Sequence, residues 1–98
     1  MAQPITIESV RLRQVNLPPK VVRTDAIQSF VTQETILLTL HCSDGITATG
    51  YAYTIGTGGS SVIALLKDHL APRLIGRDPV MVEAIWKDLF FHTHATAV

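Results

Sequence analysis

Leu74-Ile75-Gly76-Arg77-Asp78-Pro79-Val80-Met81-Val82-Glu83-Ala84-Ile85-Trp86 reads as a turn, a helix start and the opening of an amphipathic helix. Gly76 suits the turn. Asp78 is the expected N-cap. Pro79 falls at the first helical position, where its missing N–H breaks no hydrogen bond. Val82, Ile85, Trp86, Leu89 and Phe90 then follow at i, i+3, i+4, i+7 and i+8, which makes one apolar stripe. Lys87 and Asp88 read as solvated residues of the same helix. After Phe91 the pattern fades into residues 92–98 without a cap or stop signal, so the chain reads as cut rather than finished.

Immediately upstream, Val62, Ile63, Leu65, Leu66, His69 and Leu70 recur at helical spacing, and Pro72 marks the expected end of that helix. Before it, residues 56–61 (Gly-Thr-Gly-Gly-Ser-Ser) form a flexible connection whose serines are placed to cap the helix. Further back, residues 35–42 alternate cleanly. Ile36, Leu38, Leu40 and Cys42 share one face, and Thr35, Leu37, Thr39 and His41 share the other. Ser43-Asp44-Gly45 supplies turn chemistry, with Gly45 free to take positive φ. Residues 46–54 return as a second strand, with Ala48, Gly50 and Ala52 on one face and Thr47, Thr49, Tyr51 and Tyr53 on the other. This is the strongest hairpin signal in the sequence.

The first segment, residues 5–17, is also strand-like, but its apolar phase shifts from Ile5 and Ile7 to Val10 and Leu12. A bulge, or burial on both faces, accounts for the shift. Pro18-Pro19 ends it. Residues 18–32 show no period and read as a long loop of the kind that often carries function. Three strands followed by at least two helices define an α+β class, a three-stranded antiparallel meander sheet with helices packed on it.

The 98 residues, 47% hydrophobic and 16% charged, suit one small domain, taken as residues 1–98, and are too apolar for disorder. Eight basic and eight acidic residues balance. They form no basic stripe for nucleic acid and no polybasic membrane patch. No apolar run is long enough to span a bilayer, and the N-terminus lacks the regions of a signal peptide. Cys42 is the only cysteine, so no intrachain disulfide forms, and a reduced, cytoplasmic setting fits. Low charge with many aliphatics implies that another domain or chain covers apolar surface.

Local chemistry is sparse. His92 and His94 would share a face on a strand and point apart at a helix end, and spacing offers no third metal ligand. The Gly56 loop precedes a helix, as phosphate cradles do, but it lacks a Walker lysine and reads better as a connecting loop. Of the eight carboxylates, Glu34 included, no pair is spaced for acid–base work. Cys42 reads as inert core. Tyr51, Tyr53 and Phe30 could border a pocket at the strand end, although spacing alone favours ordinary packing.

Taken together, these segments resemble the N-terminal capping domain of the enolase superfamily, in its mandelate racemase and muconate lactonizing group. The resemblance rests on five pieces in order: residues 5–10; residues 35–40 with Asp44-Gly45; residues 49–53; residues 70–79; and residues 83–86 with Leu89. Tyr51 departs from the pattern, because many relatives carry Gly-Glu-Ala where this chain has Gly50-Tyr51-Ala52. The resemblance implies an α+β cap that precedes a (β/α) barrel. In the family the barrel holds Mg²⁺ and the acid–base residues that remove the proton α to a carboxylate. It implies no catalytic or metal-binding residue in this chain.

The same resemblance implies two specificity loops over the barrel mouth. The first carries Thr24, Asp25, Ala26 and Phe30; the second carries Tyr53, Ile55 and Gly56, with Tyr53 at a pocket-facing position. The implied partners are the barrel of the same polypeptide, a small carboxylate substrate and further copies in a homo-oligomer. The implied reaction is dehydration or racemization of a hydroxy acid or acid sugar, with no activity in these 98 residues alone. A reading of a different class is a free-standing α+β interaction module that self-associates. A third is metal or phosphate binding through His92 and His94 or the Gly56 loop.

Overall fold

The computed structural model describes residues 4–17, 23–24, 29–30 and 33–95. Strand β1 (Ile7–Leu17) pairs antiparallel with β4 (Gln33–Cys42), which pairs antiparallel with β5 (Thr47–Thr54), giving sheet order β1-β4-β5. Between β1 and β4 the chain forms a separate two-stranded ladder from β2 (Arg23–Thr24) and β3 (Ser29–Phe30). Part of the region expected to be loop therefore holds a miniature hairpin, too short to show a period in sequence. The phase shift in β1 is a bulge: the register with β4 slips between Ile7 and Ser9.

The β4–β5 turn forms as its residues dictate. Gly45 takes φ +86° and donates its N–H to the Cys42 carbonyl at 3.0 Å, while Asp44 Oδ1 accepts the Ile46 N–H at 3.0 Å. The register Thr39↔Thr49 sets two hydroxyls 3.0 Å apart on one sheet face. The opposite face carries Val10, Leu12, Ile36, Leu38 and Leu40. On it, Val10 and Leu12 line a groove with Lys67, Ala71, Pro72 and Ile75 from the helical segment.

Helix α1 (Gly59–Leu65) packs on β1 and β4. The serines do not cap it. Its N-cap is Gly58, in the left-handed region at φ +95°, and no side chain of that residue is available to cap. The cap comes instead from Glu34 on β4, whose Oε2 accepts the Gly59 N–H at 2.8 Å. Nor does Pro72 end the helical path. The chain passes through a π-helical turn (Leu66–Leu70) into a 3₁₀ turn (Ala71–Arg73) that accommodates Pro72 near its start. Widening and then tightening the spiral lets the backbone continue where an α-helix would clash with the proline ring.

Helix α2 spans Val82–His92 with Met81 as N-cap, so Asp78 and Pro79 lie outside it. Asp78 Oδ1 accepts the Val80 N–H at 3.0 Å, and its carbonyl accepts the Met81 N–H at 3.1 Å. A side chain that turns the backbone two residues on is using the local alternative to helix capping. Before that turn, Gly76 at φ +84° donates its N–H to the Ile7 carbonyl at 2.8 Å, and Ile7 donates its own to the Arg77 carbonyl at 2.9 Å. The start of β1 is thereby held against the segment that leads to α2.

Asp88 is not merely solvated. It accepts two bonds from Arg73, at 2.8 and 3.0 Å, and a third from Arg77 at 3.3 Å. The Arg73 hydrogen bond is the main influence holding the Asp88 carboxyl below its ordinary value. Partial desolvation opposes it, and the charges of Arg73 and Arg77 add to it.

The core is small. Among the described residues only Ile7 and Ile36, each 1% exposed, are large side chains fully withdrawn from solvent, with Ala71, Leu74 and Thr35 nearly so. The radius of gyration is 16.2 Å, whereas a compact domain of this length has about 13 Å. The α2 stripe is largely open: Trp86 is 64% and Phe90 50% exposed, their rings stacked 5.2 Å apart. Among the described residues no helix is long and apolar enough to cross a membrane.

Candidate functional site

Sheet register places two candidate segments at one end of the molecule. Leu17, the last residue of β1, lies opposite Gln33, the first of β4; one step on, Asn16, Glu34 and Thr54 lie abreast across the three strands. The excursion of residues 18–32 therefore leaves and rejoins the sheet beside the point where β5 runs into residues 55–58. This juxtaposition needs only the meander topology and the lengths of the strands.

Of the expected first-loop residues, Thr24 pairs with Ser29 and Phe30 with Arg23 in the small β2–β3 ladder. Asp25 and Ala26 lie outside the described residues. In the second segment, Tyr53 sits opposite Thr35 on β4 and is 56% exposed. Tyr51, one side-chain step earlier on the same face, is 72% exposed. Both tyrosines are more than half exposed, which leaves them accessible to a ligand or to another protein surface. Ile55 is 39% exposed, and Gly56 takes φ +84°.

A Cβ on Gly58 would stand 3.9 Å from the Thr54 methyl, and the Thr54 hydroxyl is buried without a partner among the described residues. Gly56 and Gly58 both occupy the left-handed region that side chains disfavour, which is why the loop turns in so few residues. The bond from Gly59 to Glu34 closes it. A phosphate at this helix start would have to displace the chain's own carboxylate. Glu34 is the residue that local reasoning missed, because the signal lies between residues 25 positions apart.

Among the described residues no three His, Cys, Asp or Glu side chains gather as a metal site. His92 ends α2, and the imidazole beside it belongs to His69, 6.4 Å away between ring centroids. The Mg²⁺ implied by the resemblance thus finds no fitting donor set in these residues, and no catalytic step can be drawn through it here.

An open three-stranded sheet, a capped helix leaving β5 and the 74–86 turn and helix together define a small open-sheet α+β domain. The chain belongs to the mandelate racemase / muconate lactonizing enzyme N-terminal domain family, whose profile matches residues 7–96. It is 32% identical over 89 residues to the 3,6-anhydro-alpha-L-galactonate cycloisomerase of Streptomyces coelicolor, covering 90% of this chain and 25% of that enzyme. It is 41% identical over 73 residues to a D-mannonate dehydratase of Caulobacter vibrioides, covering 74% of this chain and 16% of that enzyme. A racemase from Streptomyces coelicolor, solved with bound magnesium, superposes with a TM-score of 0.87 at 30% identity, covering 93% of this chain and 26% of that one. The chain spans about a quarter or less of the length of these relatives. The expected α+β architecture of the enolase-superfamily N-terminal domain is the one found.

Proposed function

We propose that residues 1–98 are the substrate-capping and specificity domain of a Mg²⁺-dependent enolase-superfamily enzyme. Its reaction is dehydration or racemization of a hydroxy-acid or acid-sugar carboxylate by abstraction of the α proton. Thr24, Asp25, Ala26 and Phe30 on the first excursion and Tyr53, Ile55 and Gly56 on the second border the pocket. The metal and the acid–base groups belong to a C-terminal barrel of the same polypeptide, and the working form is a cytoplasmic homo-oligomer.

The observation that carries this reading is the register of Leu17, Gln33 and Thr54, which brings both segments to one sheet end. The names of the relatives, an acid-sugar dehydratase among them, support the substrate class. Within the chain's own share of the work, an exposed tyrosine can hydrogen-bond a polyhydroxylated acid. Closure of the two segments excludes water from the reacting centre.

The test is turnover of a panel of hydroxy acids and acid sugars by the complete reading-frame product with Mg²⁺, compared with the 98 residues alone. Tyr53→Phe and Tyr53→Ala should raise KM more than they lower kcat, as expected where a contact contributes mainly to binding. Metal-dependent turnover by the 98 residues alone would refute the division of labour. The open Trp86–Phe90 stripe favours one rival, a self-associating module. Concentration-dependent dimerization of the 98 residues, together with a complete product inactive across the panel, would replace the enzyme reading with it.

A further inference from the structure

We infer that Glu34 is the positioning residue of the second specificity loop, fixing residues 55–58 between the end of β5 and the start of α1. The inference rests on the reading of that loop as substrate-facing. Glu34 holds the loop from both ends. Its backbone lies opposite Thr54, the last residue of β5, and its side chain accepts the Gly59 N–H at 2.8 Å. The loop between those anchors is only four residues long, and two of them are left-handed glycines.

The surroundings are built around this bond. Gly59 is buried, and a Cβ there would overlap Glu34 Oε2, so the site tolerates no side chain while the carboxylate is in place. A carboxylate accepting a backbone N–H at a helix start is a charge-assisted bond, roughly twice as strong as a neutral one. Helix α1 in turn packs on β1 and β4, so its first residue is fixed relative to the sheet. Releasing Glu34 frees one anchor and leaves the β5 ladder intact. The effect therefore falls on the geometry of residues 55–58, Ile55 and Gly56 among them, while the fold persists.

Glu34→Gln, Glu34→Ala and Gly59→Ala in the complete reading-frame product test this. In Glu34→Ala the Gly59 amide should exchange with solvent about tenfold faster or more, as loss of a charge-assisted bond predicts. Glu34→Gln keeps an acceptor and should recover part of the protection. Gly59→Ala should reproduce the Glu34→Ala effect. With turnover, the Ala variants should raise KM several-fold, change kcat less and alter the ranking of substrates, with partial rescue by Gln.

Unchanged Gly59 exchange in Glu34→Ala overturns the inference, whatever the substrate proves to be. So does an equal loss of kcat on every substrate that tracks a fall in melting temperature, because that is the signature of a merely structural residue. A wild-type product that turns over no acid in the panel counts against the proposed reaction. In that case the exchange result alone decides whether Glu34 holds the loop.

Discussion

Arg73 grips Asp88 through two N–H···O bonds, Nε to Oδ2 at 3.0 Å and Nη2 to Oδ1 at 2.8 Å, joining the 3₁₀ turn to the middle of α2. This fork is the geometry in which guanidinium and carboxylate match best. With side chains 41% and 28% exposed, the pair is reached by solvent and screened by salt.

The Asp88 carboxyl sits below its ordinary value in the folded chain. Its contribution to stability is therefore present above the unfolded-state value of about 3.9 and is lost as pH falls through the lower folded value. Asp88→Asn should lower the melting temperature at pH 6 and leave it nearly unchanged at pH 2. Thermal melts of both proteins across that range measure the difference. A constant gap would mean that the pair contributes nothing through charge.

Gly58→Ala should destabilise the chain by about 1–2 kcal/mol, because Gly58 is left-handed and a side chain there is strained even where space exists. Gly50→Ala meets no atom within 4 Å and carries no positive φ, so it should change stability by no more than about 0.5 kcal/mol. Urea unfolding of the two variants separates backbone strain from simple bulk.

Ile36→Ala should cost about 2–5 kcal/mol, since the side chain is fully buried. Typical domain stabilities are about 5–15 kcal/mol, and so small a core leaves little reserve. Ile46→Ala, at 64% exposure in the hairpin turn, should stay within about 0.5 kcal/mol. Equal effects at the two sites would refute the placement of the core.

Trp86 is the only tryptophan in these 98 residues, so once any tryptophan outside them is replaced by Phe its fluorescence reports the α2 stripe. In the 98 residues alone, emission should be red-shifted and readily quenched by iodide. In the complete reading-frame product it should shift to the blue and resist quenching. Identical spectra would show that nothing covers the stripe.

The parts legible in sequence are those set by contacts between neighbours. Alternation in residues 35–42 and 46–54 marks β4, β5 and the Gly45 turn, whereas the phase shift after Ile7 leaves a bulge and two-sided burial equally open, and only the register decides for the bulge. Helix starts were less legible. Ser60 and Ser61 have the chemistry of caps, but a carboxylate from β4 reaches the helix first. Asp78 has it too, but its side chain closes a turn three residues earlier than the helix proper. Asp88 looked solvated because Arg73 and Arg77 belong to a segment that only the turn at Gly76 brings near. For the serines and Asp88 a tertiary partner outcompeted the local one, whereas Asp78 exchanged one local bond for another.

The meander leaves both candidate segments hanging from fixed strand ends, one closed by the Leu17–Gln33 pair and the other by Thr54 and Gly59. The β1-β4-β5 ladder pairs up to Leu17–Gln33 and Glu34–Thr54, so its register is set by residues outside both excursions. On the proposed reading, transplanting residues 18–32 and 55–58 from a relative is the smallest graft that would carry substrate preference from one member of the family to another.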